Sequence, residues 1–381
     1  MSGSRGYRAT TILRESSSQA FDTKRRRQNM GTFAKVLLVN HFRLQTICGT
    51  TVMFDEILRL APPVSPSARF AYESQDLYTS VESFQRRLTE AHADAACVVA
   101  INAHIEVYWP LSRALFDWAK ARRMPAYLFV HDYWPHHRNA LLELVSLGAR
   151  PVASTPFIAE SVGHDGVAAE VIEVGIPLSN HDTERVEPAD LETVASAGRL
   201  VPRKRFADIV RAFAMAGVDH EARLYLRVLP SNVFDKMADN AQLAEIEGEI
   251  ARLRLQNVTL DRQPGDRPHY CNFTAYVCSS SYEGFSMAVI ESAFEGCPPL
   301  MSDIPPHQRI AHALFGAQAA RFLFPMGDAA ALGKLIQDEI LTRQRRAFVM
   351  QHQSQIRQTI RERWSLATTA RALAALAYRR R

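Results

Sequence analysis

One stretch, Ser279–Asp303 (SSSYEGFSMAVIESAFEGCPPLMSD), constrains the chain most, because it places two carboxylates, Glu283 and Glu291, around a helix start. The apolar run Ala275–Cys278 leading into it reads as a buried strand. Tyr282–Phe285 reads as a loop, and Ser286 as the N-cap of a helix that Gly296 ends, with Pro298 just beyond. A helix begun this way turns several unpaired amides and the positive end of its dipole towards the loop, where an anion such as a diphosphate can sit without a metal. Two carboxylates bracket the junction, Glu283 in the loop and Glu291 in the second helical turn. Junctions with a Ser cap and scattered glutamates are common, so this spacing alone assigns no function.

The rest of the chain repeats the alternation. Lys35–Asn40 (KVLLVN) is a continuous apolar strand, followed by a loop holding Gly49 and a helix over about 51–60. Ala126–Val130 is another strand, ending in His131 and Asp132 of the run HDYWPHH. Ligands bind at the C-terminal ends of strands in open α/β sheets, which puts His131 at a cleft, while His136 and His137 read as loop surface. No carboxylate or cysteine completes a metal-ligand spacing with these histidines. In Ser196–Phe213 (SAGRLVPRKRFADIVRAF) a short strand delivers Arg199 and Lys204 from a loop, and Phe206, Ile209, Val210 and Phe213 mark an amphipathic helix. Two cations on such a loop can hold the negative charge of an anionic ligand, although consecutive Arg203, Lys204 and Arg205 also read as a solvated basic turn. With 381 residues and 47% hydrophobic content, the chain can bury two α/β cores.

The stretch Ser279–Asp303 resembles the donor-binding signature of retaining glycosyltransferases of family 4: E-G-F-[GS], a second glutamate, then A-x-x-x-G-x-P. Glu283, Gly284, Phe285, Ser286, Glu291, Gly296 and Pro298 match, with Ser292 in place of the usual alanine. Ser196–Phe213 resembles the same family's G-R-L-x-x-x-K element through Arg199 and Lys204. Ser154–Val162 and Val174–Pro177 fill the places where the family's N-terminal domain ends.

The resemblance implies a GT-B fold: two Rossmann-like α/β domains facing each other across a cleft, with the C-terminal helix crossing back to the N-terminal domain. Residues 1–30 are then a disordered basic extension, 31–180 the acceptor domain, 181–195 a linker, 196–360 the nucleotide-sugar donor domain and 361–381 the returning helix. The implied activity is sugar transfer from a UDP- or GDP-sugar to a hydroxyl acceptor with retention of configuration. Arg199 and Lys204 would hold the diphosphate, Gly284, Phe285 and Ser286 would offer amides to phosphate, and Glu291 would take the ribose diol. Glu283 would meet the sugar hydroxyls and His131 the sugar near its reacting carbon. Gly49 stands where relatives carry a Gly-Gly pair, and Arg262 where they seat the nucleobase. Substitution would occur on the front face, the leaving phosphate helping to deprotonate the acceptor, with no metal, no cofactor and no covalent glycosyl-enzyme of the glycosidase kind. The chain departs from the family at Pro230–Asn232, where relatives have a Gly-x-Gly turn, and in a short stretch over Gln263–Phe273.

Residues 1–30 hold seven cations against two carboxylates and so account for the whole formal charge of +5. That segment lacks a secretory apolar core, and no module for nucleic acid follows it. Contact with an anionic membrane fits better, since relatives use glycan or lipid-linked acceptors and the chain ends in Arg379–Arg381. Five cysteines without a C-x-x-C pattern read as reduced thiols of a cytoplasmic protein. Apolar stretches such as Ala95–Ile101 are too short to cross a bilayer. The expected role is bacterial polysaccharide, lipopolysaccharide or glycolipid synthesis at the inner face of the cell membrane. Two alternatives stay open: a nucleotide-sugar epimerase on the same fold, and a non-catalytic nucleotide-sugar binding protein.

Overall fold

Parallel strands cannot be joined by hairpins; each needs a crossover, and the crossover helices cover both sheet faces. Most strand connections of the computed structural model, which describes residues 33–43, 49–64, 67–178, 192–229, 236–262 and 268–379, meet that requirement with a helix. The first half runs β1 (Ala34–Asn40), α1 (Gly49–Val64), β2 (Ala68–Ser74), α2 (Val81–His92), β3 (Ala95–Ile101), α3 (Trp109–Ala121), β4 (Ala126–Val130), α4 (Arg138–Ser146), β5 (Arg150–Ala153), α5 (Pro156–Gly163) and β6 (Glu170–Val171). The second runs β7 (Glu192–Arg199), α6 (Phe206–Ala216), β8 (Ala222–Leu229), α7 (Lys236–Leu253), β9 (Val258–Asp261), β10 (Ala275–Cys278), α8 (Met287–Phe294), β11 (Pro299–Ser302), α9 (Pro305–Phe315), β12 (Leu323–Phe324) and α10 (Ala329–Thr342). Three helices close the chain: α11 (Gln344–Gln351), α12 (Gln353–Arg363) and α13 (Leu366–Leu376).

The strands form two parallel sheets, in the orders β2-β1-β3-β4-β5-β6 and β12-β11-β10-β7-β8-β9. Being covered on both faces, they have unbroken apolar strands whose alternate residues enter different cores. In β1, Val36 and Leu38 join the core that also holds α8 and α13, while Leu37 and Val39 join the core on the opposite face. Each sheet has one place where the strand order reverses, β1 beside β3 in the first and β10 beside β7 in the second. Crevices for ligands open at the C-terminal ends of the strands at such switch points.

The chain returns to its first half at the end. The Ile176 amide donates to the Trp364 carbonyl at 2.7 Å, and the Leu366 amide to the Ile176 carbonyl at 3.2 Å. Helix α13 then packs on α1, and the Tyr127 hydroxyl donates to the Leu376 carbonyl. The α/β class, the two sheets and the returning helix agree with the sequence expectation. Boundaries differ: β7 starts at Glu192, inside the expected linker, because its pairing with β8 runs from that residue. Helix α12 stays with the second half against α8 and α9, so the crossing falls at Trp364–Ser365 rather than at 361. The basic segment 1–30, most of the linker and the departures at 230–232 and 263–267 lie outside the described residues. Among the described residues no helix is long and apolar enough to cross a membrane.

Candidate functional site

The strand order brings together two loops that lie far apart in sequence. Strand β7 ends at Arg199 and leads into the loop of Arg203 and Lys204, while its neighbour β10 ends at Cys278 and leads into the loop of Glu283. Both loops leave the same switch point. The three serines between them act as fasteners. The Ser279 hydroxyl donates to the Lys204 carbonyl at 2.8 Å, the Ser281 amide donates to the Arg203 carbonyl at 2.8 Å, and the Ser280 hydroxyl donates to Glu283 Oε1 at 2.6 Å. Arg205 turns the basic loop into α6 with φ of 53°, a left-handed conformation that is strained for a residue with a Cβ.

Glu283 is 4% exposed and holds two cations. Lys204 Nζ lies 2.6 Å from Oε1, and Arg203 Nη1 lies 3.2 Å from Oε2 and 2.8 Å from the Tyr282 carbonyl. Burial pushes the Glu283 carboxyl up, but Lys204 and Arg203 outweigh it and bring it down to about 2. A carboxyl so ionised is no general acid at neutral pH. Since its folded value lies below the ordinary 4.5, Glu283 adds stability above about pH 4.5 and gives that up as pH falls towards 2. Chemical denaturation across that window is expected to show a steeper acid loss in the wild type than in Glu283→Gln; parallel curves would contradict the depressed value.

The loop meets the first half directly. A Cβ on Gly284 would stand 2.3 Å from the His131 carbonyl oxygen, so only glycine fits at this contact. Thr155 Oγ1 donates to the Gly284 carbonyl at 3.3 Å, and the Tyr282 hydroxyl donates to the Tyr133 carbonyl at 2.7 Å. Arg203 Nη2 lies 4.0 Å from Asp132 Oδ2 across the same seam. Burial, with Arg199 and Arg203 nearby, lowers His131 below its ordinary range, so the ring is neutral near pH 7. Its Nδ1 and Asp132 Oδ1 are buried without a hydrogen-bond partner among the described residues.

The start of α8 is largely unpaired. Met287 donates its amide to the Phe285 carbonyl and Ile290 to the Ser286 carbonyl, while the amides of Gly284, Phe285, Ser286, Ala288 and Val289 meet no acceptor among the described residues. Ser286 occupies the cap position, yet its hydroxyl makes no cap bond and instead lies 2.8 Å from His307 Nε2. The sequence expectation of a side-chain cap is corrected here: a buried histidine on α9 competes successfully for the hydroxyl. Five free amides at a helix start, with two cations beside them, are suited to bind a dianion.

Of the expected residues, Lys204, Glu283, Gly284, Ser286 and His131 converge on this seam. Arg199 ends β7 and makes no side-chain hydrogen bond or ion pair among the described residues, although its charge reaches His131. Phe285 points into the core against Trp364, leaving only its amide for a ligand. Glu291 is buried in α8, where the Tyr270 hydroxyl donates to it at 3.3 Å. Gly49 opens α1, and Arg262 is exposed, 3.8 Å from Glu247 of α7 and outside the Glu283 network. Arg203, Ser280 and His307 were missed. Arg203 stood in a basic run of the kind that usually faces water, and His307 carried no spacing signal.

Residues 180–353 match the family model for glycosyl transferases group 1. No curated protein matches the chain in sequence. Among solved structures, the chain is similar to Anabaena HepE in complex with UDP and glucose, with a TM-score of 0.70 at 16% identity over 90% of this chain and 99% of that one. It is similar to the sucrose-phosphate synthase of Thermosynechococcus elongatus, with 0.68 at 17% identity over 90% and 98%. It is also similar to the lipopolysaccharide outer core galactosyltransferase WaaB in its apo form, with 0.60 at 16% identity over 91% and 100%. These similarities establish the GT-B fold.

Proposed function

We propose, from the match of residues 180–353 to the family model for glycosyl transferases group 1, that the protein moves a sugar from a nucleotide-sugar donor to a hydroxyl acceptor with retention of configuration. The observation that carries the reading is the set of five unpaired amides at the start of α8 beside Lys204 and Arg203. The donor diphosphate takes these amides and draws the two cations off Glu283, which is then released to accept from the sugar hydroxyls. Glu291 is assigned to the ribose. The same cations neutralise the charge that develops on the leaving diphosphate, with no resident metal or cofactor. The acceptor hydroxyl approaches from the first half, where His131 and Asp132 line the opposite wall. Closure of the two walls excludes water and limits hydrolysis of the donor.

UDP-sugars are the leading donors, since HepE is similar in fold and was solved with UDP and with UDP-glucose. A glycan or lipid-linked acceptor is supported by the similarity to a lipopolysaccharide outer core galactosyltransferase. A thermal-shift panel of UDP, GDP, ADP and their sugars tests the donor reading. A nucleotide at a hundred times its Kd is expected to add about 2.7 kcal/mol of stability. No shift with any of them would remove the donor site. Donor turnover that needs no acceptor and leaves the sugar on the nucleotide would favour an epimerase, and binding without any turnover a non-catalytic role.

A further inference from the structure

We infer that buried His307 holds the Ser286 hydroxyl away from the start of α8, keeping the amides of Ala288 and Val289 open for the donor diphosphate. The inference rests on the donor reading above and assigns a positioning residue to it. His307 is fully buried on α9 beneath the loop. Its Nδ1 lies 2.9 Å from the Ser302 carbonyl oxygen, which can only accept, so Nδ1 carries a proton and donates. Nε2 then meets the Ser286 hydroxyl at 2.8 Å, accepting from it in the neutral ring and donating to it in the protonated ring that Cys278 and Glu283 favour, so the hydroxyl is held in either state. Ser302 is itself fixed, because its hydroxyl donates to the Ser280 carbonyl at 2.5 Å. The ring is therefore anchored on β11 and reaches across to the first residue before α8.

A serine at this position ordinarily turns its oxygen back to accept from the amide two or three residues on, here Ala288 or Val289. That bond is absent although the residue, the position and the free donors are all present. A self-capped helix would make the diphosphate displace a side chain before it could bind. With the hydroxyl held on His307, the helix start stays unsatisfied in the free protein and the ligand becomes its cap. Cys278 Sγ lies 3.6 Å from Nε2 as a more distant neighbour of the same nitrogen.

The test is a double-mutant cycle read by calorimetric binding of UDP, with GDP and ADP as alternative probes. His307→Asn keeps a group near Ser302 but cannot reach Ser286; it is expected to weaken binding about fivefold, the size of a serine cap's stabilisation. In the Ser286→Ala background the same change is expected to cost less than twofold, because no hydroxyl remains to cap the helix. His307→Gln, whose amide oxygen can accept from Ser286, is expected to stay within twofold of the wild type. Should His307→Asn not fold, His307→Leu runs the same cycle. An equal loss with and without Ser286 would make His307 merely structural and overturn the inference, as would a His307→Asn protein that binds like the wild type. Wild-type protein that binds none of the three nucleotides would instead fail the donor reading, and this inference with it.

Discussion

Lys204→Ala is expected to lower kcat/KM for sugar transfer by about 10²–10³, the usual cost of removing one group that meets charge developing in a transition state. The expectation follows from its placement. Lys204 is fixed by the Ser279 hydroxyl on its carbonyl and by Glu283 on its ammonium, beside the open amides of α8. The fold survives the substitution because Arg203 still accompanies Glu283 at 3.2 Å, so a melting curve separates lost catalysis from lost structure. Glu283→Ala is expected to act differently, raising KM for the sugar donor and loosening the loop, since Lys204 and Ser280 lose their acceptor and Arg203 keeps only the Tyr282 carbonyl as a hydrogen-bond acceptor. Steady-state transfer from the nucleotide sugar that the binding panel selects is the measurement. Unchanged transfer in both variants would sink the site assignment.

Gly175→Ala is expected to destabilise the protein by about 3 kcal/mol, seen as a lower denaturant midpoint. Gly175 lies where the chain returns to its first half. A Cβ there would stand 2.1 Å from the Ser365 carbonyl carbon, 2.4 Å from its oxygen and 2.5 Å from the Leu366 nitrogen. All three are backbone atoms, so no rotamer change relieves the clash. The strands of chain must separate, which breaks the two hydrogen bonds between Ile176 and the 364–366 segment. Each is worth about 1 kcal/mol, and the loosened packing of α13 on α1 adds to the loss. Gly163→Ala is the control, because nothing lies within 4 Å of the added carbon and the residue sits in α5. It is expected to be neutral or slightly stabilising. A Gly175→Ala protein as stable as this control would show that the crossing is not tightly packed.

Much of the fold was legible because its cause is local or periodic. Apolar runs such as KVLLVN and AYLFV name strands buried on both faces, and the spacing of Phe206, Ile209, Val210 and Phe213 announces a helix over Phe206–Phe213 that the structure extends to Ala216. Glycine and proline punctuated the rest: Gly296 takes φ of 87° just beyond α8, as a helix-ending glycine should. Boundaries were less secure, since β7 begins where its partner strand lets it pair and α12 ends where the chain crosses.

The site divided along the same line. The sequence by itself determined which chemistry was available, a loop-to-helix junction with Glu283, Gly284 and Ser286 and a cationic loop carrying Lys204, because those groups sit within a few residues of elements with strong local signals. Only the tertiary structure decided how that chemistry is wired. The strand order sets β7 beside β10 and so gives Glu283 to Arg203 and Lys204 rather than to Arg199. Packing of α9 behind β11 gives the Ser286 hydroxyl to His307 rather than to its own helix. Hydrogen bonds between groups distant in sequence depend on which loops the sheet order makes neighbours, and no periodicity in either loop carries that information.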